Sequence, residues 1–418
     1  MTTPTVSWSK VSACRACLAT DLRPLADFGA TPLSDKLGTL PDSEQPAPKV
    51  PLELIFCNAC RLPQLSVNVA PEAIYDADYP YYSSVSPHLS AHFAALAGET
   101  LEHLTGGLGA QQLKVLEAAS NDGYLLRHFA AAGATVLGFD PSSGPASVAR
   151  AMGVETKTEF FGLSAARALV RERGAFDVFL ANNVLAHVPD LRGFVEAIAH
   201  VLRPGGMAVI EVPYLAHLVD GHAFDTIYHQ HLCYFSLISL VQLFEGFGLG
   251  IVLVTSQPIH GGSIRLRIVK GASTSDTVRS MVRAETESGR NRFEFVQTIV
   301  QLADTVKTDL RNLLRELMRD GARIWAYGAA AKANTLLSFC GLGHDQIEAV
   351  ADLNTHKHGL YMPGSDLRIM SPDEMKQAAP THVLILAWNF REEILQQLEP
   401  MRANGTRFII PVPRVEIV

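Results

Sequence analysis

The stretch Val115-Leu116-Glu117-Ala118-Ala119-Ser120-Asn121-Asp122-Gly123 decides the fold. An apolar run from Lys114 ends in an acidic residue at Glu117, a turn of small residues follows, and a helix is expected from Leu125 to Ala132. Such a strand–turn–helix junction carries backbone N–H groups to the crevice beyond the strand ends. Further strands are expected at 134–139, 176–181 and 207–212, alternating with helical segments, after an amphipathic helix at 88–104. This alternation specifies a parallel sheet covered on both faces. Between Phe293 and Leu317 the apolar residues Phe295, Ile299, Leu302, Val306, Leu310, Leu313 and Leu317 step by three and four, predicting one long amphipathic helix between two lobes. A second βαβ run is expected beyond it, with strands at 323–327, 347–352 and 382–387 and a helix from Lys332.

The turn after Glu117 keeps only Gly123 of a dinucleotide fingerprint, so it does not favour a pyrophosphate. S-adenosylmethionine has no pyrophosphate and tolerates such a loop. Glu117, Ser120, Asn121 and Gly123 are then cofactor candidates. Asp140, which ends the next strand, is placed to accept hydrogen bonds from ribose hydroxyls. A strand-end aspartate alone is often only a helix cap; the order and spacing of these pieces carry the reading.

Cys14-Arg-Ala-Cys17 and Cys57-Asn-Ala-Cys60 form two C-x2-C pairs, the spacing at which tight turns aim two thiolates at one ion. The rivals are disulfides, unusual in a reducing compartment, and a redox pair, which would need a βα junction at one motif. Four cysteine ligands leave no open position, so the zinc expected here is structural. Cys233 and Cys340 read as small buried apolar residues.

The chain has 418 residues, 48% of them hydrophobic and 18% charged, which calls for two or three domains with well-filled cores. The boundaries expected are 1–75 for a zinc-binding domain, 76–285 for the central core, 286–320 for the linking helix and 321–418 for a Rossmann-like domain. A net charge of −7 argues against general nucleic-acid binding. No apolar run reaches membrane-spanning length and no signal peptide is evident, so a cytoplasmic location without a membrane partner is expected.

The densest chemistry follows the core in Tyr228-His229-Gln230-His231-Leu-Cys-Tyr234-Phe235-Ser236. Two histidines between aromatics, just past a cofactor sheet, suit general acid–base work. Hydrogen-bonded core histidines are the bland alternative, and a metal site with His217 or His222 is a third. Downstream, His260-Gly-Gly-Ser is a glycine turn before a strand that can lie against a substrate.

From about residue 110 to 215 the chain resembles class I S-adenosylmethionine-dependent methyltransferases. That resemblance places Glu117 and Asn121 on the methionine and ribose side, Asp140 on the ribose and Asn183 near the sulfonium. The whole chain is similar to zinc-containing sugar 3-C-methyltransferases of antibiotic deoxysugar biosynthesis. The features that carry this are the paired C-x2-C, Tyr79-Pro-Tyr-Tyr-Ser-Ser, Ala181-Asn-Asn-Val-Leu-Ala-His187, the Tyr228–Ser236 motif and His260-Gly-Gly-Ser. Tyr327-Gly-Ala-Ala-Ala-Lys332-Ala-Asn334-Thr335 and Leu386-Ala-Trp388-Asn389 complete them.

The resemblance implies an α/β fold in three parts: a zinc-bearing N-terminal domain, a Rossmann-like class I methyltransferase core and a C-terminal Rossmann-like domain. It implies a dTDP-linked 4-keto-2,6-dideoxyhexose as substrate, methylated at C3 through an enolate. His231 is then the base, with Tyr79, His187 and Tyr228 on the sugar oxygens or the enolate and His229 as a further proton-transfer candidate. Tyr82, Ser84, His260, Lys332 and Asn334 are expected to touch the nucleotide-sugar. Relatives commonly carry glutamate where this chain has Gln230, and an amide orients an imidazole without adding charge. The alternatives are a second, NADPH-dependent reduction of the 4-keto group in the C-terminal domain, and O-methylation of another acceptor.

Overall fold

Local capping signals set where many of the helices start. Ser86, Ser236 and Ser275 cap the helices Pro87–Thr105, Leu237–Glu245 and Asp276–Glu287, each accepting a hydrogen bond from a first-turn backbone N–H. Ser371 and Glu374 close a reciprocal capping box on Pro372–Ala378. A computed structural model describes residues 6–75, 81–107 and 109–418, without the side chain of His260.

The central sheet has seven strands, in spatial order Leu249–Gln257, Ser263–Lys270, Leu202–Pro213, Phe176–Asn182, Lys114–Ala118, Thr135–Phe139 and Thr156–Lys157. The last five run parallel, and Ser263–Lys270 is antiparallel to both neighbours. The order reverses beside Lys114–Ala118, which leaves a crevice at the carboxyl ends of that strand and its neighbours. The expected strands and helices of this region are all present within a few residues.

The N-terminal part is built from an antiparallel sheet of Leu22–Pro32, Lys49–Cys57 and Pro63–Leu65 and a two-stranded pair, Trp8–Lys10 with Val67–Val69. The C-terminal sheet has six strands centred on Ile324–Tyr327, Val350–Ala351 and His382–Ile385. The strand expected at 347–352 is thus only two residues long.

The long helix spans Phe293–Arg319 and buries Phe293, Val296, Ile299, Ala303, Val306, Leu310 and Leu314. Phe295, Leu302, Leu313 and Leu317 flank this stripe instead of forming it. The helix lies against Leu22–Pro32 and the 224–226 turn as well as the helix Ala331–Cys340, so it joins three parts where a spacer between two lobes was expected. Arg23 covers the Phe293 ring at 3.5 Å, and Phe56 meets the same ring edge-on. One continuous apolar core consequently runs from Cys14 to Val412. Among the described residues no helix is long and apolar enough to cross a membrane.

Candidate active site and four-cysteine centre

The four sulfurs of Cys14, Cys17, Cys57 and Cys60 lie within 4.8 Å of one another, and none is in a disulfide. Tetrahedral zinc with bonds of about 2.3 Å would set its sulfurs about 3.8 Å apart; Cys14–Cys60 and Cys17–Cys57 stand at 3.5 Å. Gln64 Nε2 donates to Cys14 Sγ at 3.2 Å. The donor set fits zinc, and all four positions are cysteine.

Below the crevice, the Glu117 turn is held in conformations that side chains rarely take. Ala119, Asn121 and Asn183 all have positive φ, at 52°, 48° and 55°. Asp140 fixes the turn by accepting the Asn121 N–H at 2.9 Å and the Ser142 N–H at 2.8 Å. Burial pushes its carboxyl up to about 6. Glu117 is fully buried, so its carboxyl is held well above the ordinary range, with Tyr124 and Asn182 facing it. Neither Glu117 oxygen has a hydrogen-bond partner, and Asn182 and Asn183 Oδ1 are orphaned beside it. Unpaired buried polar atoms are costly; those of Asn182 and Asn183 belong to residues that line the cavity above, where a ligand with ammonium, carboxylate and hydroxyl groups would satisfy them. That is the fit expected for S-adenosylmethionine.

Gly138 makes this turn possible. A Cβ there would overlap Ser120 Oγ and approach Ser120 Cβ to 2.8 Å. Gly138→Ala is expected to raise the dissociation constant for S-adenosylmethionine about tenfold or more, the equivalent of about 1.4 kcal/mol. Calorimetric titration checks it; an unchanged constant would mean the turn absorbs the methyl group.

A cavity of about 810 Å³ opens above the turn, within the range of small-molecule sites. Asn121, Asp140 and Asn183 line it, whereas Glu117, Ser120 and Gly123 stand behind the loop and shape it. Tyr82, His187, Tyr228, Gln230, His231 and Lys332 also line it. Tyr79 and the side chain of His260 lie outside the described residues; Gly261 and Gly262 reach the wall.

Residues 81–84 strap the cofactor turn from above. Asn121 Oδ1 accepts the Ser83 N–H at 2.9 Å, and Ser84 donates to Asp122. Tyr82 stacks on His356 of the C-terminal domain, with centroids 4.9 Å apart.

The Tyr228–Ser236 motif is clamped by all three parts. The Leu65 N–H donates to the Leu232 carbonyl at 2.9 Å and the Tyr234 N–H to the Pro63 carbonyl at 3.0 Å, from the N-terminal side. The Leu232 N–H reaches Ala186 in the core, and Thr335 Oγ1 donates to the Ile227 carbonyl from the C-terminal domain. His231 Nδ1 sits 2.8 Å from the Thr226 carbonyl, which can only accept, so the proton of the neutral ring is on Nδ1. Nε2 is left to accept the Tyr228 hydroxyl at 2.9 Å. His187 packs edge-on against His231 at 4.8 Å, and its Nδ1 meets Tyr75 Oη at 2.7 Å.

Three residues expected at the substrate point elsewhere, the first being Ser84, which is engaged by Asp122 and does not line the cavity. His229 Nε2 donates to the Val50 and Pro51 carbonyls at 3.1 and 3.2 Å, and burial pushes its pKa down to about 4. In the tight turn it points at the N-terminal domain, away from the cavity. Asn334 is buried with Nδ2 on the Pro32 carbonyl at 3.3 Å, turned away from the cavity that Lys332 lines. Lys332 Nζ donates to Asn389 Oδ1 at 2.8 Å and lies 3.8 Å over the Trp388 ring, whose Nε1–H donates to Asp225. Burial lowers the Lys332 pKa, opposed by the negative Asp225.

Asp35, Tyr75, Tyr124, Asn182 and Asp225 were absent from the expected site. Asn182 sits within the Ala181–His187 motif and Asp225 three residues before the Tyr228–Ser236 motif; Asp35 and Tyr75 carry no local signal.

Three family models match in sequence: "Putative zinc binding domain" over residues 14–75, "Methyltransferase domain" over 90–254 and "C-methyltransferase C-terminal domain" over 258–413. C-methyltransferase NovU of Streptomyces niveus is 32% identical over 411 residues, covering 98% of this chain and 97% of its own. The ubiquinone biosynthesis O-methyltransferase of Cronobacter sakazakii is 35% identical but covers 29% of this chain and 56% of its own. The magnesium protoporphyrin IX methyltransferase of Synechocystis PCC 6803 covers 43% of this chain and 79% of its own at 16% identity, with a TM-score of 0.33 that carries no inference. The expectation of a nicotinamide cofactor gains no support from these matches. With a four-cysteine zinc-type domain, a core of S-adenosylmethionine-dependent methyltransferase type and a relative matched almost end to end, the chain belongs to the C-methyltransferase family.

Proposed function

We propose that the enzyme methylates C3 of a dTDP-linked 4-keto-2,6-dideoxyhexose, a nucleotide-sugar of antibiotic deoxysugar pathways. The observation that carries this reading is the Tyr228 hydroxyl on His231 Nε2, opening into the same cavity as Asn121, Asp140 and Asn183. Carbon is a poor nucleophile until a proton beside a carbonyl is removed, so carbon methylation needs a base next to the methyl donor.

The C3–H bond breaks as its proton passes to the Tyr228 oxygen and the Tyr228 proton passes to His231 Nε2. The electron pair left behind becomes the enolate of the C4 ketone, and the imidazole becomes imidazolium. Nδ1–H stays on the Thr226 carbonyl throughout, which fixes the ring for this transfer. His187, fixed by Tyr75, is placed to donate to a sugar oxygen. S-adenosylmethionine supplies an electrophilic methyl group on a cationic sulfur. Asn121, Asp140 and Asn183 would hold that cofactor, with Tyr124 in the same cavity wall and Glu117 behind the turn. C3 must then stand in line with the methyl, about 3–3.5 Å away. Lys332, Lys357 and Asn389 from the C-terminal domain line the far wall, where they suit the diphosphate of a nucleotide-sugar.

Incubating the enzyme with such a 4-keto nucleotide-sugar and S-adenosylhomocysteine in deuterated buffer tests the deprotonation step apart from transfer. Deuterium at C3, read by mass spectrometry and proton NMR, is the expected result. No exchange with this sugar, beside methylation of an oxygen on another acceptor, would overturn the reading.

A further inference from the structure

Gln230 lies between the two histidines of the motif, and its amide is tied to a carboxylate from a distant part of the chain. Its Nε2 donates to Asp35 Oδ2 at 3.0 Å across 195 residues of chain. Asp35 follows the strand Leu22–Pro32 of the N-terminal domain, and it lines the same cavity as Gln230, Tyr228 and His231. A carboxylate from the N-terminal domain thus stands one hydrogen bond away from Gln230, on the cavity wall that also carries Tyr228 and His231.

We propose that Asp35 is the carboxylate of the deprotonation site, a positioning residue held by Gln230 whose charge acts on the Tyr228–His231 pair across the shared cavity wall. The inference rests on the function proposed above. When the substrate proton reaches His231, the ring gains a positive charge, and its Nδ1 partner, the Thr226 carbonyl, is neutral. A nearby negative charge lowers the free energy of that imidazolium. Asp35 is also the largest charged contributor, after burial, holding the Tyr228 and Tyr75 hydroxyls above their ordinary range. A tyrosinate is therefore disfavoured, and the proton taken from carbon is driven through Tyr228 to His231. Among the described residues, the titratable groups around this carboxylate are Tyr75, Tyr81 and Tyr228, with His187 and His231 on the same wall, His229 beside it in a small adjoining cavity and Lys36 next in the chain. The role of the N-terminal domain thereby extends beyond support: its fold delivers a charge to the reaction.

A carboxylate swap tests this. Asp35→Asn is expected to lower kcat on the order of 10²-fold with the KM for S-adenosylmethionine within about twofold. Gln230→Glu places two carboxylates about 3 Å apart, so one takes up a proton and the kcat profile gains a new acidic limb shifted toward neutral pH. Asp35→Asn with Gln230→Glu returns a single charge beside His231 and is expected to recover at least tenfold of the loss. Metal content and thermal midpoint, measured on each variant, show that the N-terminal domain is intact. Wild-type activity on the sugar is established first, so failure of the substrate assignment shows there alone. With the wild type active, an Asp35→Asn variant as fast as wild type, or a double variant no faster than Asp35→Asn, overturns the proposal.

Discussion

Replacing Tyr228 by phenylalanine is expected to lower kcat for methyl transfer by about 10²–10⁴-fold, the usual worth of a positioned acid–base group. The ring keeps its packing against His231, at 4.1 Å between centroids, so the loss falls on the hydroxyl. His231 Nε2 then has lost the hydroxyl that would relay the proton to it, while Nδ1 stays on the Thr226 carbonyl. Binding of S-adenosylmethionine should be unchanged, because the cofactor turn is fixed by Asp140 and the 81–84 strap. Steady-state kinetics with a calorimetric titration separates the two. Equal losses in cofactor binding and kcat would mean that Tyr228 supports the cavity wall and takes no part in proton transfer.

The second large effect is expected at the four-cysteine centre. Changing Cys14 and Cys60 to serine removes two of the four sulfurs. Structural zinc contributes on the order of 10 kcal/mol to small domains of this type. The N-terminal domain has two short sheets, so it is not expected to stay folded without the ion. Its loss would release Asp35 and Tyr75 from the cavity and the Pro63–Leu65 strand from the 232–234 backbone. Transfer activity should fall to background, metal content should drop from a full site to none, and the N-terminal domain should become sensitive to protease. The central sheet should still bind S-adenosylmethionine, since Glu117, Asn121 and Asp140 belong to it. A metal-free double variant that remains folded and active would show that the four cysteines are a packing cluster.

These two expectations differ in how readable their basis was from sequence. The cysteine pairs, the Glu117–Gly123 turn and the Tyr228–His231 pair are local patterns, in which chain spacing alone constrains geometry. Asp35 and Tyr75 reach the cavity because the N-terminal sheet docks on the 228–236 loop, and nothing near them in the chain announces that. The opposite outcome holds for His229: it shares the motif, yet the turn aims it at Val50 and Pro51. Asn334 lies within a motif that reaches the cavity, but the helix rotates it onto Pro32. For the long helix, periodicity marked the element, and tertiary packing then chose Val296, Ala303 and Leu314 over Phe295, Leu302 and Leu313. Residue order along a motif is therefore a weaker guide to direction than to existence.

Whether the methyl group arrives on carbon or on oxygen decides between the two chemistries, and its bonded neighbour in the product reveals which occurred. The enzyme would be given S-adenosylmethionine labelled with carbon-13 in its methyl group and a dTDP-4-keto-2,6-dideoxyhexose labelled with carbon-13 at C3. A one-bond carbon–carbon coupling between the methyl and C3 in the product spectrum is the expected result. A labelled methyl bonded to oxygen, with no such coupling, would refute carbon methylation by this enzyme.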